Sequence, residues 1–295
     1  MSSKVTFSLA GRRAVVAAPG WRIGLRLAGP LTVWAGFALL LIPYAAFRGI
    51  GDEFFQPHDL KGIETGLFGG VMPSGWLQVH LHQINARNLD YTMFLAHLSW
   101  FFLPFVFGIV VACTERKKLV EFYAWLLVLS YLSTVLFLIA PTRPPWMEDG
   151  VTRVLVERSF IHYAELDNNE FAAFPSLHAA LPLCMALFFF LRSDRKKGYG
   201  FIVLADCLWV SFAIVYLGEH WVVDVIGGWM LAGLVAFLFL SRHVRRAVHA
   251  VPGDPLMRLI RFNEWVMDLG VRREPSSSVH VPVAGSDSDG QRWAA

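Results

Sequence analysis

Six stretches of about twenty consecutive, predominantly apolar residues leave this chain few folds to adopt. Residues 27–47, 91–113, 119–140, 174–191, 199–217 and 221–240 each approach the length that carries an α-helix across a hydrocarbon core roughly 30 Å thick. Inside that core a backbone N–H or C=O finds no water, so each segment must satisfy its own hydrogen bonds. The expected fold is an all-α integral membrane protein, a six-transmembrane helix bundle. Composition agrees, with 55% apolar residues and 17% charged, where soluble domains carry about a quarter. The 11 Trp and 24 Phe suit a surface lined by acyl chains and anchored among headgroups. A net charge of +3, spread over short loops, gives nucleic-acid binding no support. Cys113, Cys184 and Cys207 are odd in number and lie in or beside apolar runs, which reads as packing rather than a disulfide framework or metal site.

Basic residues orient the bundle. An even number of spans puts both chain ends on one side, and Arg116, Lys117 and Lys118, the cluster over 192–197, and Arg242, Arg245 and Arg246 all fall there. The positive-inside rule makes that side cytoplasmic, in a cell membrane, together with a basic N-terminal segment over 1–26. Residues 27–240 form one membrane domain without internal repeats. Within 49–90, a polar segment, the second half is expected as a short interfacial helix. A second, cytoplasmic interfacial helix is expected within 241–274, and a disordered tail over 275–295.

The same parity collects three polar stretches at the outer rim. The third span runs out into Thr142, Arg143, Pro144 and Pro145. The fourth begins Phe174-Pro175-Ser176-Leu177-His178, and the fifth and sixth are joined by Gly218 to Asp224. Each has a dull explanation alone: an interfacial anchor, a helix cap, a histidine and aspartate satisfying each other. An ionisable group one turn into a membrane helix is nevertheless costly and usually functional. His220 and Asp224, four apart, share a helix face, so the carboxylate can fix the imidazole's tautomer. With Arg143 and the free N–H groups at a helix start, an outward-facing pocket built this way suits phosphoryl transfer at histidine. One imidazole attacks phosphorus and the other protonates the leaving oxygen. This scheme needs no cofactor, and a metal centre on His178, His220 and Asp224 lacks a further carboxylate or thiolate to complete it.

At these blocks, Arg143-Pro144-Pro145, Pro175-Ser176-x-His178 and His220-Trp221-x-x-Asp224, the chain resembles the type 2 phosphatidic acid phosphatase superfamily. Within it the bulky residue inside the Ser-x-His block looks most like the inositol phosphorylceramide synthase branch. The resemblance implies His220 as the nucleophile that becomes phosphohistidine, Asp224 as its partner, and His178 as the acid. It implies Arg143 and Ser176 as phosphate-binding residues. Two basic positions of the fuller pattern are replaced, by Leu136 and Ile214. His97, Arg153, Arg158 and His162 are candidates to compensate or to touch substrate, and a less positive pocket fits a diester donor. Asp206 and Glu121, nearer the inner face, are assigned no chemistry.

Two enzymatic readings follow: a phosphatase releasing phosphate from a phospholipid or polyprenyl phosphate, and a transferase passing a headgroup to a lipid or sugar hydroxyl. A transporter or non-catalytic lipid-binding protein is the third, although the spans show no paired broken helices. The sequence does not specify an oligomeric state.

Overall fold

The computed structural model describes residues 19–48, 50–158, 170–193, 196–241 and 244. The apolar runs form long helices, several of them with Pro or Gly inside. α1 is Pro19–Phe47, α2 Lys61–Leu67, α3 Pro73–Thr114, α4 Leu119–Ile139, α5 Val154–Glu157, α6 Leu177–Arg192, α7 Lys197–Tyr216 and α8 Val222–Leu240. Among the described residues β pairing is limited to two isolated bridges, which tie Thr142 to His58 and to Ala172. His162, the interfacial helix expected within 241–274 and the tail over 275–295 lie outside the described residues, as does most of the segment over 1–26.

Five helical stretches are long and apolar enough to cross a membrane: Val33–Glu53, Arg87–Thr114, Arg116–Ile139, Lys197–Tyr216 and Val222–Leu240. The remaining expected span, over 174–191, differs. Its helix, α6, has 16 residues, only about 24 Å at 1.5 Å per residue. Ser176 is the cause: it holds an extended conformation and its Oγ caps the helix by accepting Ala179 N–H at 3.4 Å. α6 still links the two ends of the bundle. At its start the Ser176 N–H donates to the Asp224 carbonyl at the head of α8. At its finish Arg192 pairs with Glu121 at the foot of α4, at 2.6 and 3.1 Å.

α3 also departs from expectation. The polar stretch before Tyr91 is helical but is not a separate interfacial element; it is the first part of one 42-residue helix, roughly 60 Å long. Neither Gly nor Pro falls between Trp76 and Leu103 to break it. The polar midpoint, Asp90, is buried and paired: its carboxylate accepts Tyr216 O–H at 2.6 Å and Arg158 Nε–H at 2.7 Å.

α6 is the bundle's central helix, with Met185, Phe188 and Phe189 fully buried against Phe122 and Trp125 of α4 and Phe239 of α8. Trp125 meets Phe188 edge-on at 5.6 Å and Phe239 at 5.3 Å. α1 closes the side of α4, Phe37 stacking on Tyr123 at 4.4 Å. The outer surface keeps Leu39, Ile42, Ile109, Met230 and Phe237 exposed, a face for acyl chains. Cys184 and Cys207 are buried free thiols in the interior, and Cys113 is exposed and free.

Candidate active site

Gly218 makes the turn out of α7 possible. Its φ is +80°, and a Cβ there would lie 2.7 Å from the Thr152 carbonyl oxygen. Beyond the turn, Asp224 occupies the first turn of α8, where Oδ2 accepts the Trp221 N–H at 2.8 Å. The same oxygen lies 3.4 Å from His220 Nδ1. His220 Nε2 then sits 3.1 Å from Nδ1 of His178, carried one residue into α6. A single proton shared between those nitrogens, with another between Nδ1 of His220 and the carboxylate, satisfies the chain of three. Asp224 is fully buried, and its Oδ1 makes no hydrogen bond among the described residues.

Three contacts from distant chain segments hold this turn. Gln78 of α3 donates to the Tyr216 and Thr152 carbonyls at 2.8 and 2.9 Å and accepts the Thr152 N–H at 2.8 Å. The loop after α4 returns to it: Trp146 N–H donates to the Gly218 carbonyl, and Trp221 Nε1–H to the Arg143 carbonyl. Most directly, Glu64 of α2 lays its carboxylate across the start of α8, accepting Val222 and Val223 N–H at 2.9 and 3.1 Å. An acid there satisfies two of the helix's unpaired N–H groups and complements its dipole.

Glu64 is buried, and burial holds its carboxyl above the ordinary carboxylate value despite those two N–H donors. The folded state therefore keeps this proton to higher pH than the unfolded state does. The contribution of Glu64 to stability is greatest at low pH and falls as pH rises from the ordinary carboxylate value to the raised one, then levels off. Glu64→Gln, which cannot ionise, is expected to remove that slope from a melting-versus-pH series. Glu64→Ala should cost about 1–2 kcal/mol in the same assay.

A cavity of about 490 Å³ opens onto the two imidazoles. Its walls include Phe94, Trp100, Phe101 and Phe102 of α3 and Tyr44 of α1. Phe101 and Phe102 are also exposed on the outer surface, so the apolar part of the cavity reaches the lipid-facing side beside α3. His97 lines it, its ring 4.7 Å from that of His178. Trp100 flanks the same imidazole at 4.8 Å and donates to the Leu177 carbonyl.

The other expected residues divide. Arg153 lines the cavity, but its guanidinium is gripped by Glu219 at 3.0 and 3.2 Å, reaches Glu170 at 3.6 Å and lies over the Trp146 ring. Arg158 is turned away to Asp90. Ser176 is buried as a helix cap and is not among the lining residues, and the Arg143 side chain is exposed beside the rim while its neighbour Pro144 lines the wall. Arg48, Glu219 and Glu170 line the cavity without having been singled out from sequence. Arg48 carries the same signal as any interfacial anchor at the end of a span, and Glu219 reads locally as a turn residue. Among the described residues no three His, Cys, Asp or Glu side chains converge as a metal site would need.

This all-helical bundle with paired histidines belongs to the PAP2 superfamily, whose model matches residues 72–238, more than half of the chain. Among relatives, the inositol phosphorylceramide synthase catalytic subunit aur1 of Schizosaccharomyces pombe is 30% identical over 121 residues, 35% of this chain and 28% of that protein. A phosphoinositol dihydroceramide synthase of Bacteroides thetaiotaomicron is 25% identical over 238 residues, covering 69% of this chain and 76% of the relative. An undecaprenyl-diphosphatase of Sulfolobus acidocaldarius is 35% identical over 66 residues, 22% of this chain and 31% of its own. The chain thus spans under a third of the first and third of these. No solved structure matches. The family match and the named relatives place this chain in the PAP2 superfamily, similar to its inositol phosphorylceramide synthase branch.

Proposed function

We propose that this protein transfers the phosphoryl group of a phosphorylated lipid through a phosphohistidine on His220. The arrangement that carries the reading is the chain Asp224–His220–His178, 3.4 and 3.1 Å between its members, at the head of an aromatic-walled cavity. With Nδ1–H donated to Asp224, His220 offers the Nε2 lone pair. A phosphate entering between the rings displaces the His178 contact. Nε2 then forms a bond to phosphorus as the bond to the leaving oxygen breaks, and that oxygen takes the proton from His178. In the second half, water or a substrate hydroxyl gives its proton to His178, its oxygen bonds phosphorus, and the P–N bond breaks. No step calls for a metal.

Transfer to a hydroxyl gains support from the charges around the cavity. Among its described lining residues Arg48 and Arg153 are matched by Glu170 and Glu219, so the protonated His178 that the first step requires leaves a formal sum of +1. That balance suits a singly charged phosphodiester better than a doubly charged monoester. The relatives named as synthases point the same way. The side of the membrane follows from the opposite end of the bundle, where Arg116, Lys117, Lys118, Arg192, Lys196 and Lys197 gather. By the positive-inside rule that end is cytoplasmic, six crossings return both termini there, and the histidines face outward.

The test is incubation of the purified full chain, without divalent metal, with phosphatidic acid, phosphatidylinositol and a polyprenyl phosphate, each with and without ceramide. Release of free phosphate identifies a hydrolase. A new, labelled lipid identifies a transferase. Neither product from any donor would overturn the proposal.

A further inference from the structure

The phosphate group needs a positive partner in the cavity, and the cations read from sequence do not supply one cleanly. Leu136 and Ile214 replace basic residues and pack in the apolar interior. Arg143 is exposed and absent from the lining, and Arg153 is held bidentately by Glu219. Among the described lining residues the other cation is Arg48, one residue beyond the last turn of α1.

Several features place Arg48 well. Its N–H closes the final turn of α1 on the Tyr44 carbonyl at 3.0 Å, which fixes the backbone. Its guanidinium lies 6.0 Å from the Tyr44 ring centroid, beside the cavity wall that Tyr44 itself forms. It and His178 line the same cavity. Arg48 also stands outside residues 72–238, the stretch that matches the family. Resting on the phosphohistidine reading, we propose that Arg48 is a phosphate-binding residue of this site, contributed by α1. Its planar fork of N–H donors would grip the non-bridging oxygens while His220 attacks.

The assignment gives α1 a chemical role as well as a packing one. It also sets the anion between a cation on α1 and the imidazoles on α6 and the α7–α8 turn. As charge accumulates on the equatorial oxygens in the transition state, the guanidinium is already in place.

The test uses the purified full chain in detergent, titrated calorimetrically with orthovanadate, which mimics the five-coordinate phosphorus, and with inorganic phosphate. Arg48→Gln is expected to weaken both by about 10- to 100-fold, the range for one lost charged hydrogen-bonding partner. Arg48→Lys should recover part of the loss, falling short where the bidentate grip is missing. Should Arg48→Gln fail to fold, Arg48→Lys with undiminished affinity for both anions overturns the assignment. So does Arg48→Gln, folded, binding both within twofold of the wild type. His220→Ala separates this from the reading beneath it: it should lose the preference for vanadate over phosphate, because the attacking nitrogen is gone. If His220→Ala keeps that preference, or the wild type binds neither anion, the phosphohistidine reading falls and the role of Arg48 with it.

Discussion

His220→Ala is expected to lower turnover by roughly 10⁴- to 10⁶-fold with the protein still folded and inserted, because the proposed phosphohistidine can no longer form. His178→Ala should lose less, about 10²- to 10⁴-fold, the range for a general acid. The two can be told apart by the leaving group. A phosphate ester with an acidic phenol as leaving group needs little protonation, so His178→Ala should recover most of its deficit on that substrate while His220→Ala recovers none. Equal losses on both substrates would contradict the division of labour inferred from the 3.4 Å contact of His220, and not of His178, with Asp224. Rates of phosphate or headgroup transfer, measured beside a melting curve for each variant, decide it. A transporter with the same residues would keep measurable flux in both.

Gly228→Ala is expected to lower both activity and stability, at a position that touches no reacting atom. A Cβ there would lie 2.3 Å from the Ser176 carbonyl oxygen and 3.3 Å from the Ala180 N, backbone atoms that have no rotamer to yield. α8 must move off the start of α6, and those two elements carry Asp224 and His178. A displacement near 1 Å of groups that must align costs on the order of 10²-fold in rate. Within an ordinary helix Gly→Ala stabilises by about 1 kcal/mol, so here the sign should reverse and the melting temperature fall. Gly233→Ala, one and a half turns further along α8, is the control. Nothing lies within 4 Å of its added methyl, and that variant should keep its activity and melt at or above the wild-type temperature.

The helices were legible because apolar runs of membrane length leave the backbone few alternatives, and the meeting of His178, His220 and Asp224 was legible because each sits at a helix boundary on the same parity. What the sequence concealed depends on contacts between distant segments. Asp90 breaks the apolar pattern and so divided α3 in two on paper; Arg158 and Tyr216 neutralise it only once the chain is folded. Glu64 looks like a surface acid in a polar segment, yet it meets Val222 and Val223, 158 and 159 residues away. Arg48 reads as a membrane anchor, and only the cavity distinguishes it from one. Arg143 shows the converse: the block around it docks against the site through its carbonyl and Pro144, while its side chain points outside the lining. Charge and polarity mark that a residue is costly to bury; they do not say which partner repays it.

The unbroken course of α3 joins the catalytic rim to the lipid matrix as a single stiff rod. Gln78, which clamps the turn before His220, and Phe101 and Phe102, which face acyl chains, are points on one helix. A change in bilayer thickness that tilts the lower portion is therefore expected to swing the upper one, so that turnover measured in vesicles should vary with the length of their hydrocarbon tails.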